Sequence, residues 1–221
     1  MFLIGTSKHL DNQLSQDRKH TTLHFISIKN MKAIFATTQG KLLGLGGTMP
    51  WCHHEAFAEI GKMDMCYFKE ITKGANVVMG YNTWVSMGQK PLKGRKTHYI
   101  ITRKKGLTHE DSRVRFMDLN TFIKKYVYEE NLVCIGGRQI YKALMPYFDE
   151  IYWNELKLSD VFYKEVLPKF EDDNKVYLSS NLRHVIDYPE KNGFRKPTAV
   201  MQFDKIGNII TYKRYKKKAT P

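Results

Sequence analysis

The sequence predicts an α/β protein: a single domain on a central, mostly parallel twisted sheet, with helices on both faces and an antiparallel C-terminal hairpin at one edge. Three observations predict it. Continuously apolar runs such as Val77-Val78-Met79 and Leu132-Val133-Cys134-Ile135 read as strands buried on both faces. Segments of helical periodicity alternate with them. A chain of 221 residues with 42% hydrophobic residues suits one domain, which at this size buries roughly 70% of its unfolded surface without disulfides or a structural metal.

Residues 1–30 are polar and mixed in charge apart from Leu23 to Ile28, and read either as a leader outside the main fold or as an added edge strand. The main domain is expected over 31–212. It opens with a strand around Ala33-Ile34-Phe35-Ala36. Gly40, Gly44, Gly46 and Gly47 then deny regular structure to the next segment, which reads as a mobile flap. A helix is expected over 52–72, a strand over 76–79, a short helix over 83–87 and a strand over 98–102. The second half repeats the alternation, with helices at 118–129 and 138–144 and strands at 132–135 and 150–156. Residues 199–203 and 209–212 flank Lys205-Ile206-Gly207-Asn208 and read as the terminal hairpin. Residues 213–221 read as a basic tail.

The formal net charge is +14, and residues 205–221 carry six Lys or Arg with no acid. Such a tail is usually solvated, although nucleic acid or another polyanion would gain from it through counterion release. The remaining excess favours anionic small molecules. No apolar run approaches the roughly 18 residues of a membrane helix, and Gly5 breaks the opening apolar stretch too early for a signal peptide, so a cytoplasmic protein is expected. Cys52, Cys66 and Cys134 are odd in number and lack CxxC spacing, so neither a disulfide nor a metal site is expected.

Three places hold residues suited to chemistry. Asp64 falls on a helix face with Phe68 and Ile71, which sets a carboxylate in an apolar stripe where desolvation raises its pKa. Spacing alone fits a partner-satisfied or helix-boundary acid equally well. Gly136-Gly137 follows a buried strand directly and opens a helix, as Gly80 does before Tyr81-Asn82-Thr83. Two such junctions suit the two ends of one long phosphorylated ligand. Arg95 and Arg103 stand on either side of the 98–102 strand, and an Arg holds carboxylate or phosphate in a bidentate fork. Taken singly, each arginine reads as surface charge.

In order along the chain, Met49-Pro50-Trp51, Asp64 with Phe68-Lys69, Val78-Met79-Gly80 with Thr83-Trp84 and Ser86, Leu92 with Gly94-Arg95-Lys96, Thr102-Arg103, and Ile135-Gly136-Gly137 with Ile140-Tyr141 resemble dihydrofolate reductase. The resemblance runs from Met31 to about Tyr215. It implies a monomeric enzyme that uses NADPH to reduce 7,8-dihydrofolate, with hydride reaching C6 and a proton reaching N5 through water. It implies catalytic roles for Asp64, Trp51 and Met49, with Asp64 hydrogen-bonding the pterin. Ala36, Met65, Phe68, Met87, Leu92, Ile135, Tyr141 and Asn154 would enclose the substrate, and Arg95 would clamp its glutamate carboxylate. Gly44 of the flap, Gly80, Asn82, Thr83, Thr102, Arg103, Gly136, Gly137, Arg138 and Gln139 would hold NADPH, with Gly136-Gly137 resembling the family's cis peptide.

Three departures from the family pattern stand out. Twelve residues separate Trp51 from Asp64, more than the usual spacing, so an insertion borders the substrate entrance. Tyr81-Asn82 replaces residues that are commonly basic, with Arg138 as the compensating cation. Asn154 stands in place of a threonine. Two other classes remain open on the sequence: an NADPH reductase of the same fold acting on a ribosylated pyrimidine, and a non-enzymatic basic protein that binds nucleic acid or assembles in a larger particle.

Overall fold

The structure, a computed structural model, describes residues 31–219. The leader or edge strand expected within residues 1–30 lies outside the described residues. In chain order the strands are β1 (Met31–Thr38), β2 (Leu42–Leu45), β3 (Asn76–Gly80), β4 (His98–Ile101), β5 (Val114–Met117), β6 (Leu132–Gly136), β7 (Phe148–Lys157), β8 (Lys175–Tyr177), β9 (Thr198–Phe203) and β10 (Ile209–Lys216). The α-helices are α1 (Ala58–Ile71), α2 (Tyr81–Ser86), α3 (Leu119–Lys125), α4 (Arg138–Leu144) and α5 (Ser180–Asp187). Eight strands join in the order β5-β4-β3-β6-β1-β7-β10-β9. From β5 to β7 all neighbours are parallel, and β10 and β9 add the expected antiparallel hairpin.

Alternation along the strands divides the core into two layers. Ile34, Val77, Met79, Ile100, Val133 and Ile135 point to the face covered by α1 and α2, where Trp84 is wholly buried. Phe35, Val78, Tyr99 and Cys134 point to the opposite face, under Phe122 of α3, Leu144 of α4 and Leu182 of α5. A third cluster, with Leu42, Leu45, Trp51, Phe57, Leu156 and Phe162, packs beneath the flap and the insertion.

Several elements depart from the sequence expectation, each for a local reason. The helix expected over 52–72 starts at Ala58. His54 before it is extended, with φ −153° and ψ 139°, and its Nδ1 accepts the Ala56 N–H at 3.1 Å, so Pro50–His53 and Glu55–Phe57 are separate 3-10 turns. The flap is not free of regular structure. Its Leu42–Leu45 segment pairs antiparallel with β8, which lies in a stretch that carried no sequence assignment. Leu42 and Leu45 anchor it by burial, while Gly46 and Gly47 make the turn at φ +51° and +81°. At Gly46 a Cβ would come within 2.5 Å of the Phe170 ring, so no side chain fits there.

The expected boundary at residue 213 also moves, because β10 runs to Lys216. Lys213 reaches Glu155 at 2.7 Å and Arg214 reaches Glu150 at 2.9 Å. The sheet therefore absorbs two cations expected in the tail by pairing them with acids of β7. Helix α3 ends at Lys125, short of the expected 129, as the chain enters the aromatic and β-branched run Tyr126-Val127-Tyr128, a poor helix former. At its other end Asp118 Oδ1 accepts the Thr121 N–H at 2.9 Å. Asp118→Ala is expected to cost ~1 kcal/mol of stability, read as a lower urea midpoint with an unchanged slope.

Candidate active site

The strand order sets the site along the carboxyl ends of the parallel strands, where open α/β sheets bind ligands. Gly80 pairs in register with Ile101, and Met79 with Gly136, so the ends of β4, β3 and β6 lie side by side. Thr102-Arg103, Gly80 to Thr83, and Gly136 to Gln139 therefore form one track. Next to it Ala36 of β1 pairs with Asn154 of β7.

Two observations show that this track suits an extended phosphorylated ligand such as the implied cofactor. A Cβ on Gly137 would lie 3.1 Å from Thr83 Oγ1, and one on Gly80 would lie 3.0 Å from Ile140 Cγ1. Bare backbone is thus what keeps the two junctions open to each other. The Gly136-Gly137 peptide is cis, as the resemblance implied, and Gly136 has φ +112°. Arg103, Arg138 and Gln139 are exposed around the track, and Asn82 is exposed at the start of α2.

Helix α1 presents Asp64 inward, one turn after the buried Ile60 and one turn before Phe68. Asp64 is only 4% exposed. Asn154 Nδ2 donates to its Oδ1 at 2.7 Å. Burial pushes the carboxyl up from 3.8 to about 6, and the Asn154 hydrogen bond offsets part of that rise. Asn154 therefore does supply a hydrogen bond where the family has a threonine. Trp51, also buried, directs Nε1 to no acceptor among the described residues.

Phe68, Met87, Leu92 and Ile135 pack together on the α1/α2 face. Tyr141 sits on the other face, with Oη donating to Ile34 O at 2.7 Å. Met49 and Ala36 belong to the cluster beneath the flap. Met65 and Trp51 line an open cleft of about 550 Å³ beside the insertion, together with Met49, Cys52 and Phe57. Asp64 itself does not line that cleft. Gly44 lies within β2, against Val176.

Arg95 is held rather than solvated. Its Nε donates to Thr72 Oγ1 at 3.0 Å, Nη2 donates to the same oxygen, and Nη1 donates to Lys93 O at 2.6 Å, with Cζ 5.6 Å from the Phe68 ring centre. Of five N–H donors this leaves one on each Nη, the fork a carboxylate takes. His98 braces the same loop through Nε2, which accepts the Leu92 N–H at 2.9 Å. Burial, helped by Arg113, pushes the His98 pKa down to about 4, so the ring stays neutral and able to accept. Thr72 and His98 escaped the sequence reading because neither belongs to a motif, and only the fold brings Thr72 to Arg95.

The family model described as dihydrofolate reductase matches residues 30–189. Among curated relatives, the dihydrofolate reductase of Neisseria gonorrhoeae is 32% identical over 136 residues, covering 60% of this chain and 78% of the relative. That of Bacillus subtilis is 28% identical over 151 residues, covering 66% and 80%. A solved dihydrofolate reductase from Enterococcus faecalis, complexed with NADP(H) and RAB-propyl, superposes with a TM-score of 0.63 at 22% identity, over 86% of this chain and 98% of that one, a likeness of fold. No helix among the described residues is long and apolar enough to cross a membrane. The family match extends over well more than half of the sequence, and the chain belongs to the dihydrofolate reductase family.

Proposed function

We propose that this chain reduces 7,8-dihydrofolate to 5,6,7,8-tetrahydrofolate with NADPH, and that Asp64 is the residue on which recognition of the pterin turns. The observation that carries this reading is a carboxylate buried in an apolar stripe, hydrogen-bonded by Asn154, next to a track of strand ends kept bare by Gly80 and Gly137. Bound NADPH supplies the hydride received at C6 of the substrate.

The chain's own groups bind, orient and exclude water. Asp64 accepts hydrogen bonds from the pterin's N3 and 2-amino group. Its raised pKa keeps a proton within the buried acid–substrate pair at neutral pH, and its charge favours the cationic transition state. Trp51 Nε1–H donates to a water at the pterin edge, the route by which N5 gains its proton. Phe68, Met87, Leu92 and Ile135 hold the rings in an apolar wall, with Ala36, Met49, Met65 and Tyr141 closing the remaining sides. Thr83, Asn82, Arg138, Gln139 and the backbone at Gly80, Gly136 and Gly137 hold the pyrophosphate, Gly44 belongs to the covering flap, and Thr102 and Arg103 face the adenosine phosphate. Positioning of this kind accounts for much of the rate gain of an enzyme whose cofactor carries the chemistry.

The test is direct: purified protein mixed with NADPH and dihydrofolate should lose the reduced cofactor's absorbance, and a protein that leaves it unchanged would refute the reading. A second expectation concerns Arg95. Arg95→Leu should raise KM for dihydrofolate by about tenfold or more while kcat changes only a few-fold, since the clamp grips a part of the substrate remote from the reacting atoms.

A further inference from the structure

We infer that Lys104, held over the ring of Tyr81, grips the 2′-phosphate of the cofactor's adenosine and, with Arg103, sets the preference for NADPH over NADH. The inference rests on the reading above and adds a residue to it. Lys104 Nζ lies 4.5 Å from the centre of the Tyr81 ring. Both side chains line an open cleft of about 550 Å³ that runs past Asn82, Ser86 and Gln89 to Gly47 of the flap. Lys104 is the one charged residue of that lining, so no acid competes with an incoming anion.

The fold brings the pair together. Tyr81 directly follows β3, and Lys104 follows the end of β4, the neighbouring strand. The Lys104 N–H donates to Thr102 Oγ1 at 3.1 Å, a hydroxyl turn that fixes the course of the chain just past β4. The ring face attracts the ammonium without neutralising it, and leaves its outward N–H groups for phosphate oxygens. A lysine otherwise free to wander is thereby held at the place where the family commonly carries a basic residue on the α2 side. Arg138 stands less well for that task. It opens α4 at the end of β6, on the far side of β3 from β4, so two strand spacings of about 4.8 Å separate its strand from the one that leads to Thr102 and Arg103.

The experiment is a binding titration, independent of turnover, in which quenching of intrinsic tryptophan fluorescence reports NADPH or NADH. Lys104→Ala should weaken NADPH about tenfold and leave NADH unchanged, because only NADPH carries the 2′-phosphate. Tyr81→Leu, which keeps the charge but removes its platform, should give a smaller loss of the same selectivity. Adding Tyr81→Arg to Lys104→Ala should restore NADPH binding. An equal loss for both cofactors, or no loss for either, overturns the role of Lys104 while leaving the reductase reading intact. A wild-type protein that binds neither nucleotide overturns both.

Discussion

Asp64→Asn should lower turnover of dihydrofolate by about a hundredfold or more while making the protein more stable at pH 8. The two effects have one physical source. Burial raises the folded-state pKa of Asp64 from 3.8 to about 6, so the ionised carboxylate is the form the fold disfavours. The advantage the fold gives the neutral acid is complete below pH 3.8 and is lost as pH rises through about 6, a difference of ~3 kcal/mol. Asparagine keeps an oxygen for Asn154 Nδ2 and carries no charge to desolvate. Its own amide N–H groups need partners, so the expected gain at pH 8 is ~1–3 kcal/mol. Urea unfolding from pH 5 to 8 should show the variant's advantage widening up to about pH 6 and flat above 7. A variant that retains activity, or that is destabilised equally at every pH, would show that Asp64 is an ordinary structural acid.

That outcome is anchored in something visible in the sequence: an acid where helical periodicity calls for an apolar residue. The same periodicity located α1, α2 and α4, and the apolar runs located β1, β3, β4, β6 and β7, because those signals are local and the elements are buried. What escaped was what depends on partners distant in sequence. β8 is three residues, too short to show alternation, and it becomes a strand only by pairing with the flap. The exposed Val176 and Tyr177 give β8 no buried face of its own. Helix α5 does carry an apolar stripe, Leu182, Val185 and Ile186, but lies in a stretch that gave the family resemblance no hold. The Lys213 and Arg214 pairs with β7 acids likewise cannot be read from a run of basic residues. At the site, Asn154 meets Asp64 across 90 residues of sequence and Thr72 meets Arg95 across 23, so the carboxylate and the arginine were legible while the group holding each in place was not inferred from spacing.

The glycine pair at the end of β6 should separate folding from binding. At Gly136 the backbone has φ +112°, a conformation hostile to L side chains, and a Cβ would stand 2.8 Å from Tyr141 Oη and 2.9 Å from Cε2. The tyrosine has little room to yield, being buried with its hydroxyl bonded to Ile34 O. Backbone strain and overpacking together put the expected cost of Gly136→Ala at ~3–5 kcal/mol, a large share of the stability of a domain this size. It should be read as a lower urea midpoint and a poor soluble yield. Gly137, at φ −86°, is in a region any residue adopts, and the nearest obstacle to a Cβ is Thr83 Oγ1 at 3.1 Å, an atom that a small rotation can move. Gly137→Ala should therefore unfold within ~1 kcal/mol of wild type yet bind NADPH about tenfold or more weakly, since its methyl group enters the space where backbone must approach pyrophosphate. If Gly137→Ala bound NADPH normally, the cofactor would have to cross the sheet edge elsewhere, and the track along β4, β3 and β6 would lose its central contact.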